Sequence, residues 1–378
     1  MSTATDRTSS RAQFTRFTSA QKQVLRRRLF AWYAIHARDL PWRRSRDPYR
    51  IWISEVMLQQ TQVATVRDYF ARFVRALPDV RNLAAADEQQ VLRLWEGLGY
   101  YRRARQLHAA AKQVVEEHGG ELPRTVSLLQ TLPGIGRYTA GAIASFAFGQ
   151  RAPIVEANTI RLLSRLIGYR DNPLNAAGQQ ILWLTAEELL PRKKVSQFNQ
   201  ALMELGSLVC TPLSPKCDAC PLATICTARA LGLQNEIPKA KARPQTTDLR
   251  EAAVVVRKNG RVLIRQCGAT ERWAGLWDFP RFALDAEGPL FAADEIVAKV
   301  HALTGVTCTP GPLVKTLKHG VTRFRITLDC YRAEHVSGRL KSANGTDVRW
   351  AEVAKLSDYP LNTTGRKIAR LVNEGNGR

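Results

Sequence analysis

Four of the seven cysteines crowd between positions 210 and 226, as Cys210, Cys217, Cys220 and Cys226, in the pattern C-x6-C-x2-C-x5-C. The other three, Cys267, Cys308 and Cys330, are scattered. In a reducing compartment such clustering points to metal ligation rather than to a disulfide frame. A segment that must bring four thiolates to one centre has little conformational freedom, and Pro212, Pro215 and Pro221 stiffen it further. Four thiolates either close a tetrahedral zinc site or hold a [4Fe–4S] cluster, and coordination chemistry alone does not choose between them.

The chain leading to this cluster reads as helical almost throughout, from about Gln21 to Arg229. Asp47 and Pro48 form a start signal, after which Trp52, Val56, Gln59, Val63, Val66, Phe70 and Phe73 recur at spacings of three and four, predicting one amphipathic helix. Further helices are predicted at about Glu88–Trp95, Ala104–Glu117, Tyr138–Phe148, Thr159–Ile167, Ala176–Leu190 and Gln197–Val209. An all-α domain therefore spans 21–229, preceded by a polar, basic arm over 1–20 that reads as disordered. A basic, proline-bearing linker follows at 230–249.

Beyond the linker the period changes. "AAVVVRKNGRVLIRQ" is a strand, an Asn259-Gly260 turn and a second strand. "RFRITLDCYRAE" alternates as another strand and "FAADEIVAKVHALTG" reads as a helix, so 250–375 is predicted to be an α+β domain.

Lys and Arg total 56 against 33 Asp and Glu, a formal charge of +23, which points to a polyanion, with nucleic acid the first candidate. No apolar run approaches the roughly 18 residues of a membrane-spanning helix, and the first residues lack the apolar centre of a secretory signal. A cytoplasmic, nucleoid-associated monomer with no membrane partner is the expectation.

"LPGIGRYTA", Leu132 to Ala140, carries a second chemical signal. Gly134 and Gly136 allow positive φ and close backbone approach just before a predicted helix whose first amides point outward, a turn suited to a phosphate oxygen. A plain αα-hairpin with glycines for packing is the alternative. The basic charge and the cysteines favour phosphate binding.

The cysteine spacing resembles that of the endonuclease III superfamily of DNA glycosylases, in which the loop carries a [4Fe–4S] cluster held here by Cys210, Cys217, Cys220 and Cys226. "LPGIGRYTA" looks like that superfamily's helix-hairpin-helix, set at 125–148. "LPWR" (Leu40 to Arg43), "SEVMLQQTQVATV" (Ser54 to Val66), "WEGLGYYRRARQLH" (Trp95 to His108) and "FNQALMELGSLVC" (Phe198 to Cys210) narrow the resemblance to the MutY adenine DNA glycosylases. "RWAGLWDFPRF" (Arg272 to Phe282) is similar to their Nudix-like domain. The implied fold is a mainly-α helix-hairpin-helix glycosylase with an iron–sulfur loop, followed by an α+β Nudix-like domain.

The resemblance implies excision of adenine from duplex DNA opposite 8-oxoguanine or guanine. Bifunctional relatives place a lysine where this chain has Tyr138, and a tyrosine cannot form their Schiff base, which implies hydrolysis of the base–sugar bond alone. Glu55 would be the general acid at adenine N7. It stands at the margin of the apolar stripe near Trp52 and Val56, where desolvation should raise its pKa. MutY proteins usually read "LDGN" where this chain has "IVEAN", so Glu156 takes the acid position and Asn158 is retained. Glu156 would stay ionised beside a helix N-terminus and stabilise the oxocarbenium-like sugar.

By the same match Leu40, Trp42, Arg43 and Gln200 form the adenine pocket. Gln60 would be the wedge beside the lesion, Thr61 and Leu98 contacts to 8-oxoguanine, and Tyr100 a stacking insertion. Gln59 fits the apolar helix face. The lesion-reading loop of the family reads Phe-Ser-His, whereas this chain has Val321, Thr322 and Arg323, leaving Thr322 a hydroxyl and Arg323 a phosphate contact. The helix "FAADEIVAKVHALTG" lacks the glutamate pair and arginine of an active Nudix box, implying no nucleotide hydrolysis. A glycosylase of the same scaffold acting on thymine opposite guanine, and a non-catalytic iron–sulfur protein that binds damaged DNA, are the competing readings.

Overall fold

The computed structural model describes residues 17–239, 245–285, 289–341 and 345–374. Most of the arm expected at 1–20, residues 240–244 of the expected linker and residue 375 lie outside the described residues. In chain order the helices are α1 (Ser19–His36), α2 (Pro48–Leu58), α3 (Val63–Ala76), α4 (Val80–Ala85), α5 (Glu88–Trp95), α6 (Arg102–His118), α7 (Val126–Leu129), α8 (Arg137–Phe146), α9 (Ala157–Ile167), α10 (Ala176–Leu189), α11 (Val195–Leu208) and α12 (Thr227–Ala230). Strands β1 (Thr247–Lys258), β2 (Arg261–Gln266), β3 (Trp277–Asp278) and β4 (Arg281–Ala283) follow, then α13 (Pro289–Thr304), β5 (Val306–Val321), β6 (Phe324–Gly338), β7 (Val348–Glu352) and α14 (Thr363–Glu374).

The chain folds as two compact units whose boundaries do not follow the sequence order. One combines the residues up to Ala84 with Ala109–Ala242, and the other combines Ala85–His108 with Arg243–Arg378. The sequence reading placed all of 21–229 in one helical domain. Residues 85–108 instead pack with the C-terminal part, because both ends of α5 find their polar partners there, as detailed below.

In the helical unit the core is built by α1, α9, α10 and α11 through Leu25, Leu29, Leu162, Leu166, Leu182, Phe198, Leu202 and Leu205. Each such side chain contributes about 1.5–3 kcal/mol on burial. The helix starts are those the sequence marks. Asp47 caps α2 by accepting from Tyr49 N at 2.9 Å, with Pro48 in the first turn. The single helix expected from Trp52 to Phe73 is two. α2 stops at Leu58, Gln60 adopts φ +57°, and α3 restarts at Val63. One left-handed residue breaks the i→i−4 ladder while leaving the apolar spacing intact, so periodicity alone runs through the break.

The C-terminal unit is a mixed sheet of order β3-β2-β1-β6-β5, with β4 on β1 and β7 on β2. The Asn259-Gly260 turn joins β1 to β2 with both residues at positive φ, +47° and +73°. β1 and β6 pair in parallel over Thr247–Arg257, and β5 and β6 form a long antiparallel hairpin.

Candidate active site and iron–sulfur loop

A cavity of about 830 Å³ opens in the helical unit, and both carboxylates expected to act line it, together with Leu40, Trp42, Arg43, Tyr138, Asn158 and Gln200. Gln60 and Thr61, from the turn between α2 and α3, stand at the same cavity.

Glu55 lies in the last turns of α2 and is only 4% exposed. Its Oε2 accepts a 2.5 Å hydrogen bond from the Tyr138 hydroxyl, which projects from the first turn of α8. Burial pushes Glu55 up to about 7; the neighbouring Glu156 adds to this, while Tyr138 and Arg43 oppose it. Burial also holds the Tyr138 phenol well above its ordinary value, so it stands opposite Glu55 as a neutral donor. A carboxyl of this kind keeps its proton in a large fraction of molecules near neutral pH.

Glu156 is the N-cap of α9. Its carboxylate accepts from Asn158 N at 2.9 Å, Thr159 N at 3.0 Å and Asn158 Nδ2 at 3.2 Å, and Thr159 Oγ1 returns the capping box to Glu156 N at 2.7 Å. The sequence reading expected the two acids to be displaced in opposite directions. Both are displaced upward, because Glu156 is also largely taken out of water. What separates them is the donor set: two backbone amides, a side-chain amide and the Arg161 charge oppose that rise at Glu156, whereas one phenol serves Glu55.

Asn158 is held in turn. Its Oδ1 accepts from Arg161 Nη2 at 2.9 Å, and Arg161 also donates to Gly206 O and Cys210 O, each at 2.6 Å. A Cβ at Gly206 would lie 2.9 Å from both Cβ and the carbonyl oxygen of Asn158, so a glycine there lets α11 approach the N-terminal end of α9.

The expected base pocket has a polar frame that sequence reasoning missed. Glu204, fully buried on α11, accepts from Arg43 Nη2 at 2.9 Å and from Arg38 through Nε at 2.6 Å and Nη2 at 2.9 Å. Burial pushes Glu204 up, but the two guanidinium groups outweigh it and hold it at about 2. Gln200 accepts from the Tyr33 hydroxyl and donates to Ser196 Oγ, both at 3.0 Å. Leu40 and Trp42 are buried walls, with Trp42 edge-on to Phe70. The spacing of four between Gln200 and Glu204 was the available signal, since it sets both on one face of a helix otherwise rich in apolar residues. Gln59 has a clear tie: Nε2 donates to Thr139 Oγ1 at 3.4 Å, joining α2 to α8.

At the helix-hairpin-helix only Gly134 takes positive φ, +76°. Gly136 is an extended N-cap at φ −82° and lacks a side-chain cap, so its value lies in leaving space rather than in a left-handed backbone. The remaining expected contacts belong to the other unit. Tyr100 is exposed at φ +47°, while Leu98 is only 7% exposed. Thr322, at φ +53°, and Arg323 form the exposed two-residue tip of the β5–β6 hairpin.

Cys210, Cys217, Cys220 and Cys226 line one small cavity in the helical unit: Cys210 lies just past α11, Cys217 and Cys220 begin and cap a 3₁₀ turn at Cys217–Ala219, and Cys226 caps a second at Ala223–Ile225. Four thiols around a shared cavity are a donor set that an iron–sulfur cluster can use. Arg165 supplies positive charge, with Nη1 3.3 Å from Cys210 Sγ. The donor set therefore fits an iron–sulfur group.

Comparison with known proteins agrees. The chain matches the HhH-GPD superfamily base excision DNA repair protein over residues 53–187, the iron–sulfur binding domain of endonuclease III over 210–229 and the NUDIX domain over 251–371. The cofactor is a [4Fe–4S] cluster. The adenine DNA glycosylase of Rattus norvegicus is 33% identical over 407 residues, covering 94% of this chain and 79% of that protein. The Homo sapiens adenine DNA glycosylase is 44% identical over 243 residues, covering 62% of this chain and 44% of its own length. Among solved structures, a thermostable thymine-DNA glycosylase is 30% identical with a TM-score of 0.51, covering 56% of this chain and 97% of that one. The rat protein is followed along most of its length, through both units and not only the scaffold that many repair enzymes share: the chain belongs to the adenine DNA glycosylase family.

Proposed function

We propose that the protein is a monofunctional glycosylase that flips adenine out of duplex DNA opposite 8-oxoguanine or guanine and hydrolyses its bond to the sugar. The observation that carries this reading is the pairing in one cavity of a largely dehydrated Glu55 with a Glu156 wrapped in N–H donors.

In the proposed reaction, protonated Glu55 gives its proton to adenine N7. The C1′–N9 bond then breaks with its electron pair leaving on the purine, and positive charge develops on the sugar. Glu156 is the anion facing that charge, its ionised form favoured by Asn158 and Thr159 and by the developing cation itself. Water adds at C1′, and its proton returns to the carboxylate pair. Arg43 and Gln200 hold the base edge between the Leu40 and Trp42 walls, while Gln60, Thr61, Leu98 and Tyr100 fill or read the opened stack. Gly134 and Gly136 receive a phosphate, the Thr322–Arg323 tip meets the lesion strand, and the net charge of +23 provides nonspecific attraction to DNA. Cys210, Cys217, Cys220 and Cys226 would hold the cluster, which supplies a rigid loop near the DNA-binding helices. With Tyr138 in place of an amine, no Schiff base forms and the strand stays intact. The protein acts as a monomer on nucleoid DNA.

The test is a panel of duplexes bearing single A:8-oxoguanine, A:G, T:G and A:C pairs, each read with and without alkali. Strand breaks confined to the adenine strands opposite 8-oxoguanine or guanine, and appearing only after alkali, are expected. The solved thymine-DNA glycosylase favours a second reading, so cleavage of T:G alone would replace the first. Lesion binding with no abasic product on any duplex would remove the enzymatic reading.

A further inference from the structure

The C-terminal unit contains a segment that sequence order assigns to the helical part, and that segment carries Leu98 and Tyr100. Helix α5 is fixed there at both ends. At its start, Gln89 accepts from Trp277 Nε1 at 3.0 Å and donates to Gly275 O at 3.1 Å. Just past its end, Glu96 receives a two-pronged bond from Arg366 of α14, Nε to Oε1 at 2.6 Å and Nη2 to Oε2 at 2.8 Å. Both side chains are about one-fifth exposed, at 20% and 18%. Arg366 is itself oriented by Leu356 O at 2.8 Å and Tyr359 O at 2.7 Å, so it reaches Glu96 from a fixed base.

The backbone that follows Glu96 is unusual. Gly97, Gly99 and Tyr100 all take positive φ, +97°, +72° and +47°, which for the tyrosine is a strained state that surrounding structure must impose. Trp95 Nε1 and Arg103 Nη2 each donate to Gly99 O at 3.2 Å, and the Arg103 guanidinium lies against the Trp95 and Tyr100 rings.

We propose that Glu96 and Arg366 are positioning residues: a clamp through which α14 holds the Gly97–Tyr101 loop in its left-handed form, and so sets discrimination of the base opposite the excised adenine. The clamp touches neither the reacting atoms nor the carboxylate cavity. It rests on the proposed reading in which Tyr100 and Leu98 address the opposite strand.

Glu96→Gln keeps the side-chain size and leaves the carbonyl bonds of Arg366 intact, whereas Arg366→Lys keeps the charge without the fork. Single-turnover adenine release is measured on A:8-oxoguanine and A:G duplexes, alongside amide hydrogen exchange over residues 96–103 of the DNA-free holoenzyme. The expected result is a loss of about three- to tenfold in preference for 8-oxoguanine, with the A:G rate kept and exchange in the loop accelerated. Arg366→Lys should fall between Glu96→Gln and the parent in both readouts. Unchanged loop exchange in Glu96→Gln would overturn the clamp whatever the enzyme's substrate. If Tyr100→Ala abolishes discrimination while Glu96→Gln retains it, the clamp is wrong and the lesion-reading role stands. If the parent itself shows no preference, the reading beneath the proposal fails, and accelerated exchange would then support the mechanical clamp alone.

Discussion

Replacing Glu55 by glutamine should abolish base release and, at alkaline pH, make the protein more stable. An ordinary glutamate has a pKa of 4.5, and Glu55 lies at about 7 because it is buried. The folded state therefore holds this proton more tightly than the unfolded chain. The favourable contribution of the neutral form is complete below about pH 4.5 and is lost as pH rises through about 7. A glutamine cannot ionise and keeps that contribution, while its carbonyl oxygen can still accept from the Tyr138 hydroxyl. At about 1.4 kcal/mol per pKa unit, the displacement corresponds to roughly 3 kcal/mol well above pH 7. For a domain of this size that is a rise in melting temperature on the order of 6–12 °C. The assay is thermal unfolding of parent and Glu55→Gln holoproteins at intervals from pH 5 to pH 9, with single-turnover adenine release followed in parallel. The gap between the two melting curves should be small at pH 5, widen up to about pH 7 and level off above it. A melting difference that does not change with pH, or a variant less stable at pH 9, would refute the claim that Glu55 is a dehydrated acid.

Tyr138→Phe removes the hydrogen bond that favours ionised Glu55. A bond to a charged group is worth about 1.5–3 kcal/mol, so the alkaline limb of the pH–rate profile should move up by about one to two units, and a limb that moves down would count against the assigned donor. Arg161→Met leaves the Asn158 side chain and the Cys210 and Gly206 carbonyls without their shared donor. Base release should fall at least tenfold and the visible absorbance of the cluster should bleach faster on heating, each checked on one preparation. Gly206→Ala drives a methyl into Asn158. It should cost about 1–3 kcal/mol of stability, measured by denaturant unfolding, and slow excision through displaced Glu156 without weakening binding to undamaged duplex.

Much of the architecture is legible in the amino-acid order. Asp47-Pro48 and Asn259-Gly260 mark a helix start and a hairpin with local chemistry strong enough that no distant contact overrides it. The cysteine spacing is equally local. Other features escape because their cause is remote. The break at Gln60 leaves the apolar period untouched, so nothing in the pattern registers it. Glu204 reads as an ordinary polar position until Arg38 and Arg43 arrive from more than 150 residues away. The direction of the Glu156 displacement depends on how much water the folded cavity excludes, which spacing to a helix N-terminus cannot convey. The membership of residues 85–108 is decided by Trp277 and Arg366, far along the chain.

That membership bears on how the polypeptide tolerates being divided. Because the chain enters the C-terminal unit at Ala85, leaves it after His108 and enters again at Arg243, a nick in the connection before Arg243 would not release two independent pieces. The N-terminal fragment would still own α5 and the Glu96 carboxylate, and the C-terminal fragment the Trp277 and Arg366 donors that they need. Split there, the halves would be expected to reassociate without a covalent bond, whereas a shortened protein lacking everything after the nick would leave Gln89 and Glu96 without the Trp277 and Arg366 donors.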